Sequence, residues 1–164
     1  MPRSYLPILV GLGLIIAFSP FLSSREASPS SVEFWLAQWS FVPEAQVRDY
    51  AGDKLYLIQR LALTPDDLNE VAVTYAETFN GKSIERVPLI NLVLADQAAK
   101  RFEAITTQNR GKLMAVVIDG QVKVAPSITI PIHDGKMVMS VNPAEAESVA
   151  AILKKWCNCP KQSA

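Results

Sequence analysis

Histidine and cysteine are scarce in this sequence, which limits the chemistry that the chain can perform. The single histidine, His133, stands beside Asp134 in a predicted turn, and no GxSxG-type motif supplies a serine nucleophile for it. Together with Cys157 and Cys159 it would provide three zinc ligands, but without the usual paired spacing. We therefore expect no catalytic residue, no metal site and no cofactor.

An excess of charge of either sign is also missing. Lysine plus arginine and aspartate plus glutamate number 16 each, so the formal net charge is zero. This balance argues against nucleic acid as a partner, because no net field attracts a polyanion. A glycine-rich phosphate loop is absent too, since Gly11 and Gly13 lie inside an apolar segment.

Charged residues are absent from residues 4–24, which lie between Arg3 and Arg25. This run is long enough to span a bilayer, and it also resembles a signal segment with a long apolar region. Cleavage after the small pair Ala17 and Ser19 would place Pro20 next to the scissile bond, so we favour an uncleaved single-pass anchor. A cleaved segment would give a secreted soluble form. The positive N-terminus leaves residues after 25 on the outer face of the membrane.

The remaining chain has room for one domain of ordinary size. We divide the sequence into a transmembrane anchor or signal segment (1–24), a linker and aromatic pre-domain segment (25–50), a domain (51–157) and a C-terminal tail (158–164). Four aromatic residues in the pre-domain segment have a spacing that suits one face of a short helix: Phe34, Trp35, Trp39 and Phe41. We interpret them as a cap on the domain core, with the membrane interface as the alternative.

Alternating apolar residues predict several strands in the domain. In chain order they cover residues 54–63, 69–78, 87–94, 113–118, 121–125, 127–132 and 136–141. Asn80-Gly81 and Asp119-Gly120 are tight hairpin signals, so neighbouring strands are expected to run antiparallel.

Two helices are predicted between and after these strands. The first covers residues 96–108, with Asp96 as its N-cap and a buried stripe of Ala98, Phe102 and Ile105. The second begins after Asn142, which is followed by a proline and then a glutamate. The fold class is therefore α+β, a mostly antiparallel sheet with two helices packed on it, preceded by the single N-terminal segment.

The order of helix, glycine, buried strand, Asp-Gly turn, strand and Ala-Pro bend resembles the head subdomain of the first periplasmic domain of the SecD/SecDF family. The similarity covers about residues 61–153, and Glu145-Ala146 matches the helix start that follows in that family. The residues that carry it are Phe102, Thr106, Asn109, Gly111, Lys112, Ala115, Val117, Asp119, Gly120, Val122, Ala125, Pro126, Ile128, Ile132 and Gly135.

Most of these residues have a structural reason to be there. Gly111 and Gly120 permit positive φ, and Pro126 cannot donate to a strand ladder, so the chain bends or leaves the sheet. Thr106 and Lys112 flank the helix C-terminus, where a cation complements the helix dipole. We interpret them as fold determinants, with partner contact as the alternative.

The resemblance implies a head that engages translocating polypeptide outside the cytoplasm of a bacterium, on the outer side of the inner membrane. Residues 4–24 contain no acidic residue, so no proton pathway can run through them. The leading hypothesis is therefore a noncatalytic polypeptide-binding module, accessory to Sec-dependent export, whose partner is an unfolded chain or the Sec translocon. An exposed strand edge would bind extended substrates through main-chain hydrogen bonds.

Two alternatives stay open. The fold can serve a scaffold or assembly protein that binds one folded envelope partner. Cys157 and Cys159 can also support redox or metal handling, because thiols this close form a disulfide, pair with another chain or bind a soft metal. A pair of inert tail cysteines is the simplest interpretation.

Overall fold

A computed structural model describes residues 30–160, and this part of the chain contains eight strands, two α-helices and one 3-10 turn. The bounds in chain order are β1 Val32–Gln38, β2 Gln46–Tyr50, β3 Asp53–Leu61, a 3-10 turn Pro65–Asp67, β4 Leu68–Phe79, β5 Ile84–Leu94, α1 Asp96–Gln108, β6 Leu113–Ile118, β7 Gln121–Val124, β8 Lys136–Ser140 and α2 Ala146–Trp156. The α+β class with two helices is confirmed for this part of the chain.

The strands form two sheets rather than the one that the sequence predicts. Five strands pair in the order β2-β3-β1-β6-β7 and three in the order β4-β5-β8, and every pairing is antiparallel. The chain passes between the sheets at the 3-10 turn, where the Asp67 carboxylate accepts hydrogen bonds from the backbone N–H and the hydroxyl of Thr64. Alternation predicts which residues share a face, but it does not say which strands become neighbours.

The aromatic pre-domain segment is a strand and not the predicted helix. β1 lies in the middle of the five-stranded sheet, between β3 and β6. Phe34 and Leu36 face the core, whereas Trp39 and Phe41 follow the strand and are 47% and 74% exposed. The spacing of the aromatic residues fits the period of a helix as well as that of a strand. Hydrogen-bonded pairing with β3 on one edge and β6 on the other selects the strand. Part of the segment assigned to residues 25–50 thus contributes to the sheet.

Helix α1 has the predicted bounds, but two of its details differ. Its N-cap is Ala95, without a side-chain cap, rather than Asp96. Its buried residues are Ala98, Phe102 and Thr106, so a hydroxyl stands where the pattern predicted Ile105. Helix α2 begins at Ala146, later than predicted, since the chain first makes a turn at Asn142.

Two apolar clusters lie on opposite faces of the five-stranded sheet. The larger one joins this sheet to the three-stranded sheet and both helices, and the smaller one includes Ala37, Leu55 and Ala115. All six residues of β6 are buried, as the continuous apolar run predicted for a strand covered on both faces.

The predicted anchor, residues 4–24, lies outside the described residues. Within residues 30–160, neither helix is long and apolar enough to cross a membrane.

Candidate functional site: a groove between the 125–135 loop and strand β8

The segment after β7 leaves the sheet and runs as a loop, residues 125–135. The predicted strand 127–132 is therefore wrong, and only Ser127 forms an isolated bridge, with Leu113. Pro126 and Pro131 lack the N–H groups that a ladder needs, which is why the alternation does not make a strand here.

Main-chain hydrogen bonds hold the first half of this loop against the start of β6. The Met114 N–H donates to the Pro126 carbonyl at 2.9 Å, and the Gly111 N–H donates to the Ile128 carbonyl at 2.9 Å. The Ile128 N–H donates in return to the Lys112 carbonyl at 2.8 Å. Gly111 adopts φ 84°, a conformation that side chains rarely allow, so the glycine lets the helix end turn towards the loop.

Thr106 attaches the second half of the loop to helix α1. Its hydroxyl donates to the Phe102 carbonyl at 2.6 Å and accepts the Ile132 N–H at 3.0 Å. The side chain is buried, being only 1% exposed. The hydroxyl therefore satisfies a loop donor that has no strand partner.

Asn109 and Lys112 close the C-terminus of the same helix. The Asn109 amide donates to the Ile105 carbonyl at 2.9 Å, and the Lys112 ammonium donates to the Asn109 side-chain oxygen at 2.9 Å. The first contact satisfies a carbonyl at the helix end, where carbonyls lack partners within the helix, and the second joins two side chains. The interpretation of Lys112 as a fold determinant stays a prediction.

Gly135 ends the loop where it meets β5 and α1. Its carbonyl accepts the Leu94 N–H at 2.8 Å, its φ is 70°, and a Cβ atom built on it would lie 2.8 Å from the Ala99 Cβ. Nearby, His133 Nδ1 lies 2.8 Å from the Glu103 carboxylate. His133 is largely exposed, as expected of a turn residue.

Held in this way, the loop forms one wall of an apolar groove of about 250 Å³. Strand β8 forms the other wall, and the side chain of Met114 in β6 also lines the groove. Ile130 on the loop is 71% exposed and Val138 on β8 is 56% exposed, while Met137 and Met139 point into the core. Lys136 is the only charged residue in the lining.

The edge of β8 beside this groove has no strand partner within residues 30–160. β8 pairs with β5 along its other edge, from Leu89↔Ser140 to Val93↔Lys136. A strand edge of this kind presents main-chain donors and acceptors to any extended segment that fits beside it.

The other candidate residues lie outside the groove. Asp119 and Gly120 form the turn between β6 and β7, where the Asp119 carboxylate accepts the Ser31 N–H at 2.8 Å. Ala125, at the start of the loop, packs on the smaller apolar cluster. Cys157 and Cys159 form a disulfide with each other at the end of α2, and a redox role for them stays a prediction.

Electrostatic shifts also occur away from the groove. Partial burial raises the pKa of Asp67, but hydrogen bonds from Thr64 and the Arg101 guanidinium at 2.5 Å outweigh it, so the pKa lies below its usual value. The hydrogen bond from the Tyr75 hydroxyl to Glu147 raises the pKa of that tyrosine. Within residues 30–160 no group of three or more His, Cys, Asp or Glu side chains could hold a metal ion. The expectation of no catalytic residue stays a prediction.

The model of the family described as "SecDF, P1 head subdomain" matches residues 41–155, which is more than half of the chain. The chain belongs to this family. Several residues of the SecDF P1 head motif, among them Thr106, Gly111 and Ile128, connect helix α1, the start of β6 and the 125–135 loop.

Two translocase subunits are similar to this P1 head in sequence. SecDF of Thermus thermophilus is 30% identical over 102 residues, covering 59% of this chain and 14% of that protein. SecD of Thermobaculum terrenum is 31% identical over 103 residues, covering 56% of this chain and 20% of that protein. A solved structure of the membrane component SecDF is 22% identical, covers 77% of this chain and 62% of that chain, and gives a TM-score of 0.48. The chain thus spans a small part of the length of these translocase subunits.

Local alternation does not reveal the exposed apolar residues of the groove in this P1 head. A strand at residues 127–132 would place Ile130 on one face with Ile128 and Ile132, whereas Ile130 is exposed and Ile128 is buried. The two flanking prolines were the available signal, because a ladder strand rarely contains them.

Proposed function

We propose that this domain is a noncatalytic polypeptide-binding module that holds extended segments of unfolded chains in the groove. The observation that carries the proposal is the free edge of β8 beside an apolar wall. A bound segment would add to β8 as a further strand, with main-chain hydrogen bonds for affinity and apolar side chains in the groove.

The lining suits many sequences rather than one. Main-chain hydrogen bonds do not depend on side-chain identity, and the exposed groove residues Ile130 and Val138 are apolar side chains without hydrogen-bonding groups. Lys136 is the only charge, so no strong electrostatic preference is imposed. A site of this kind fits a domain that handles many different exported proteins.

Membership of the family supports a role for this binding in protein export. The relatives that the chain resembles are protein translocase subunits, and we propose that this chain acts beside the Sec translocon as an accessory. The domain would lie outside the cytoplasm, attached to the bacterial inner membrane through residues 4–24. That segment contains no acidic residue, so residues 4–24 themselves offer no proton pathway, and we propose a role through contact with polypeptide.

Photocrosslinking tests the proposal directly. Photoreactive benzoylphenylalanine is incorporated at position 130 of the full chain in intact cells, and at position 84 as a control. Ile130 and Ile84 are matched in exposure, at 71% and 69%, but only Ile130 lines the groove. We expect position 130 to capture exported chains that are still unfolded, and position 84 to capture far fewer. Capture of neither exported chains nor translocon subunits at position 130 would refute the proposal.

A second candidate is binding of one folded partner, which an exposed aromatic patch favours. Trp39 stacks on Tyr50, and Phe41 meets the edge of Tyr56, although Trp39 and Phe41 are largely exposed. Aromatic residues are enriched in protein interfaces. A pull-down dominated by one stoichiometric partner, and lost in the Trp39→Ala and Phe41→Ala double variant, would favour this function.

A further inference from the structure

A second apolar pocket lies where the described chain begins. It has a volume of about 270 Å³ and is lined by Ser30, Pro65, Ile152, Lys155 and Trp156. Trp156 is only partly buried, with its ring 6.0 Å from that of Phe34. This surface therefore combines an apolar hollow with a half-buried indole ring, and it shares no lining residue with the groove.

Two exposed ammonium groups lie at the end of α2 beside this surface. Lys154 and Lys155 are exposed in the last turn of α2, and neither forms an ion pair within the described part of the chain. Among the nearby acidic groups, Asp67 pairs with Arg101, whereas Asp66 accepts a hydrogen bond from the neutral Asn158 amide at 2.6 Å and Glu70 lines a separate hollow with Lys154. Lys155 lines the apolar hollow and Lys154 precedes it in the same helix turn, so these exposed ammonium groups can meet an anionic layer with an apolar interior.

The short segment before Ser30 limits the distance between this surface and the predicted anchor. The uncharged run ends at Ser24, so only residues 25–29 separate it from Ser30. Even fully extended, a connection of this length spans about 20 Å. β1 then leads away from Ser30, and at 3.3 Å per residue its seven residues place Trp39 roughly 20–25 Å further along.

We propose that the surface formed by Pro65, Ile152, Lys154, Lys155 and Trp156 rests on the headgroup region of the membrane that residues 4–24 enter. Trp156 and Ile152 meet the apolar boundary, while the two ammonium groups bind anionic headgroups. A weak affinity is sufficient, because the short connection keeps the surface at a high effective concentration near the lipid. The proposal rests on the anchor expected from the sequence and is independent of polypeptide binding in the groove.

Fluorescence quenching by lipids tests this contact in the full chain. The protein is reconstituted in vesicles of phosphatidylethanolamine and phosphatidylglycerol that contain lipids brominated near the headgroup, and flotation confirms insertion. The variant Trp35→Phe, Trp39→Phe leaves only Trp156, and the control Trp35→Phe, Trp156→Phe leaves only Trp39. Circular dichroism verifies that both variants are folded.

We expect several-fold stronger quenching of Trp156 than of Trp39, although Trp39 is itself 47% exposed. Lys154→Gln with Lys155→Gln should reduce the quenching of Trp156, whereas the exposed pair Lys82→Gln with Lys100→Gln should not. Quenching of Trp156 equal to or weaker than that of Trp39 would overturn the proposal, as would a chain that fails to float with the vesicles. No polypeptide substrate is present, so failure here is distinct from failure of the groove to bind.

Discussion

At the scale of single residues, the Thr106 hydroxyl shows how one buried polar group organises the groove. It links the last turn of α1 to the 125–135 loop, and it is the polar member of the buried set on that helix. A buried donor left without a partner costs more free energy than a hydrogen bond gains, so this position has little tolerance for an apolar side chain.

Thr106→Val should therefore lower the free energy of unfolding by about 1–3 kcal/mol, because the Ile132 N–H loses its acceptor. Urea unfolding measures the loss. Thr107→Val is the matched control, since the Thr107 hydroxyl donates only to the Glu103 carbonyl on the exposed side of the helix. Its effect should stay within about 0.5 kcal/mol. Equal losses in the two variants would contradict the role given to Thr106.

Asp67 makes stability depend on pH at the acidic end. Its pKa in the folded protein lies below the usual value of 3.8, so the unfolded chain binds protons more readily. The stabilisation is complete above the unfolded pKa and is lost as the pH falls from about 4 through the folded pKa.

Asp67→Asn should therefore reduce the loss of unfolding free energy that occurs as the pH falls from about 4 through the folded pKa of Asp67. Urea unfolding at a series of pH values between neutrality and the acid limit measures the slope. Asp53→Asn, at an exposed carboxylate without an ion pair in the described residues, controls for the loss of one surface charge. An unchanged acidic slope in Asp67→Asn would show that other groups cause the dependence.

At the scale of elements, strand β8 and the 125–135 loop form a site because the strand has unpaired backbone groups along one edge and the loop has an exposed apolar side chain. The strand has a free edge, and the loop exposes Ile130 beside it. Neither element is unusual alone, and the juxtaposition comes from the contacts that hold the loop to α1 and β6.

Ile130→Ser should weaken binding of unfolded polypeptide several-fold without destabilising the fold, because the side chain is 71% exposed and its contacts are with the groove. Fluorescence anisotropy with a labelled, reduced and unfolded polypeptide measures the affinity. Ile84→Ser removes a similarly exposed isoleucine at the far end of the β4–β5 hairpin and should leave binding unchanged. Equal affinities for both variants would argue against the groove as the binding site.

At the scale of the whole molecule, β1 holds the five-stranded sheet together. It pairs with β3 along one edge and with β6 along the other, across a long stretch of intervening chain. Removing it would leave both neighbours with unpaired backbone groups and would open the larger apolar cluster, to which Phe34 and Leu36 belong.

A chain shortened to residues 51–160 should therefore fail to unfold cooperatively, whereas a chain of residues 30–160 should do so. Thermal unfolding followed by circular dichroism, with dispersion of amide signals in NMR spectra, distinguishes the two. A cooperative transition in the shorter chain would show that the sheet tolerates the loss of its middle strand.

The sequence predicted those features whose causes lie within a few residues. The bounds of α1, the continuous apolar run of β6 and the Asp119-Gly120 turn follow from local periodicity and from backbone conformations that few side chains allow. The glycines and Asp119 of the family motif were recognisable for the same reason, because they occupy such local turns.

Only the tertiary structure decided which elements became neighbours. The division into two sheets, the strand at residues 32–38, the loop in place of a strand after Pro126 and the hydroxyl of Thr106 inside the core all depend on partners distant in sequence. A local pattern defines which side of an element is apolar, but several partners can cover that side equally well. Among the possible partners, the fold takes the arrangement that pairs the buried backbone groups of all strands together. In that arrangement one edge of β8, beside the groove, has no strand partner within the described residues.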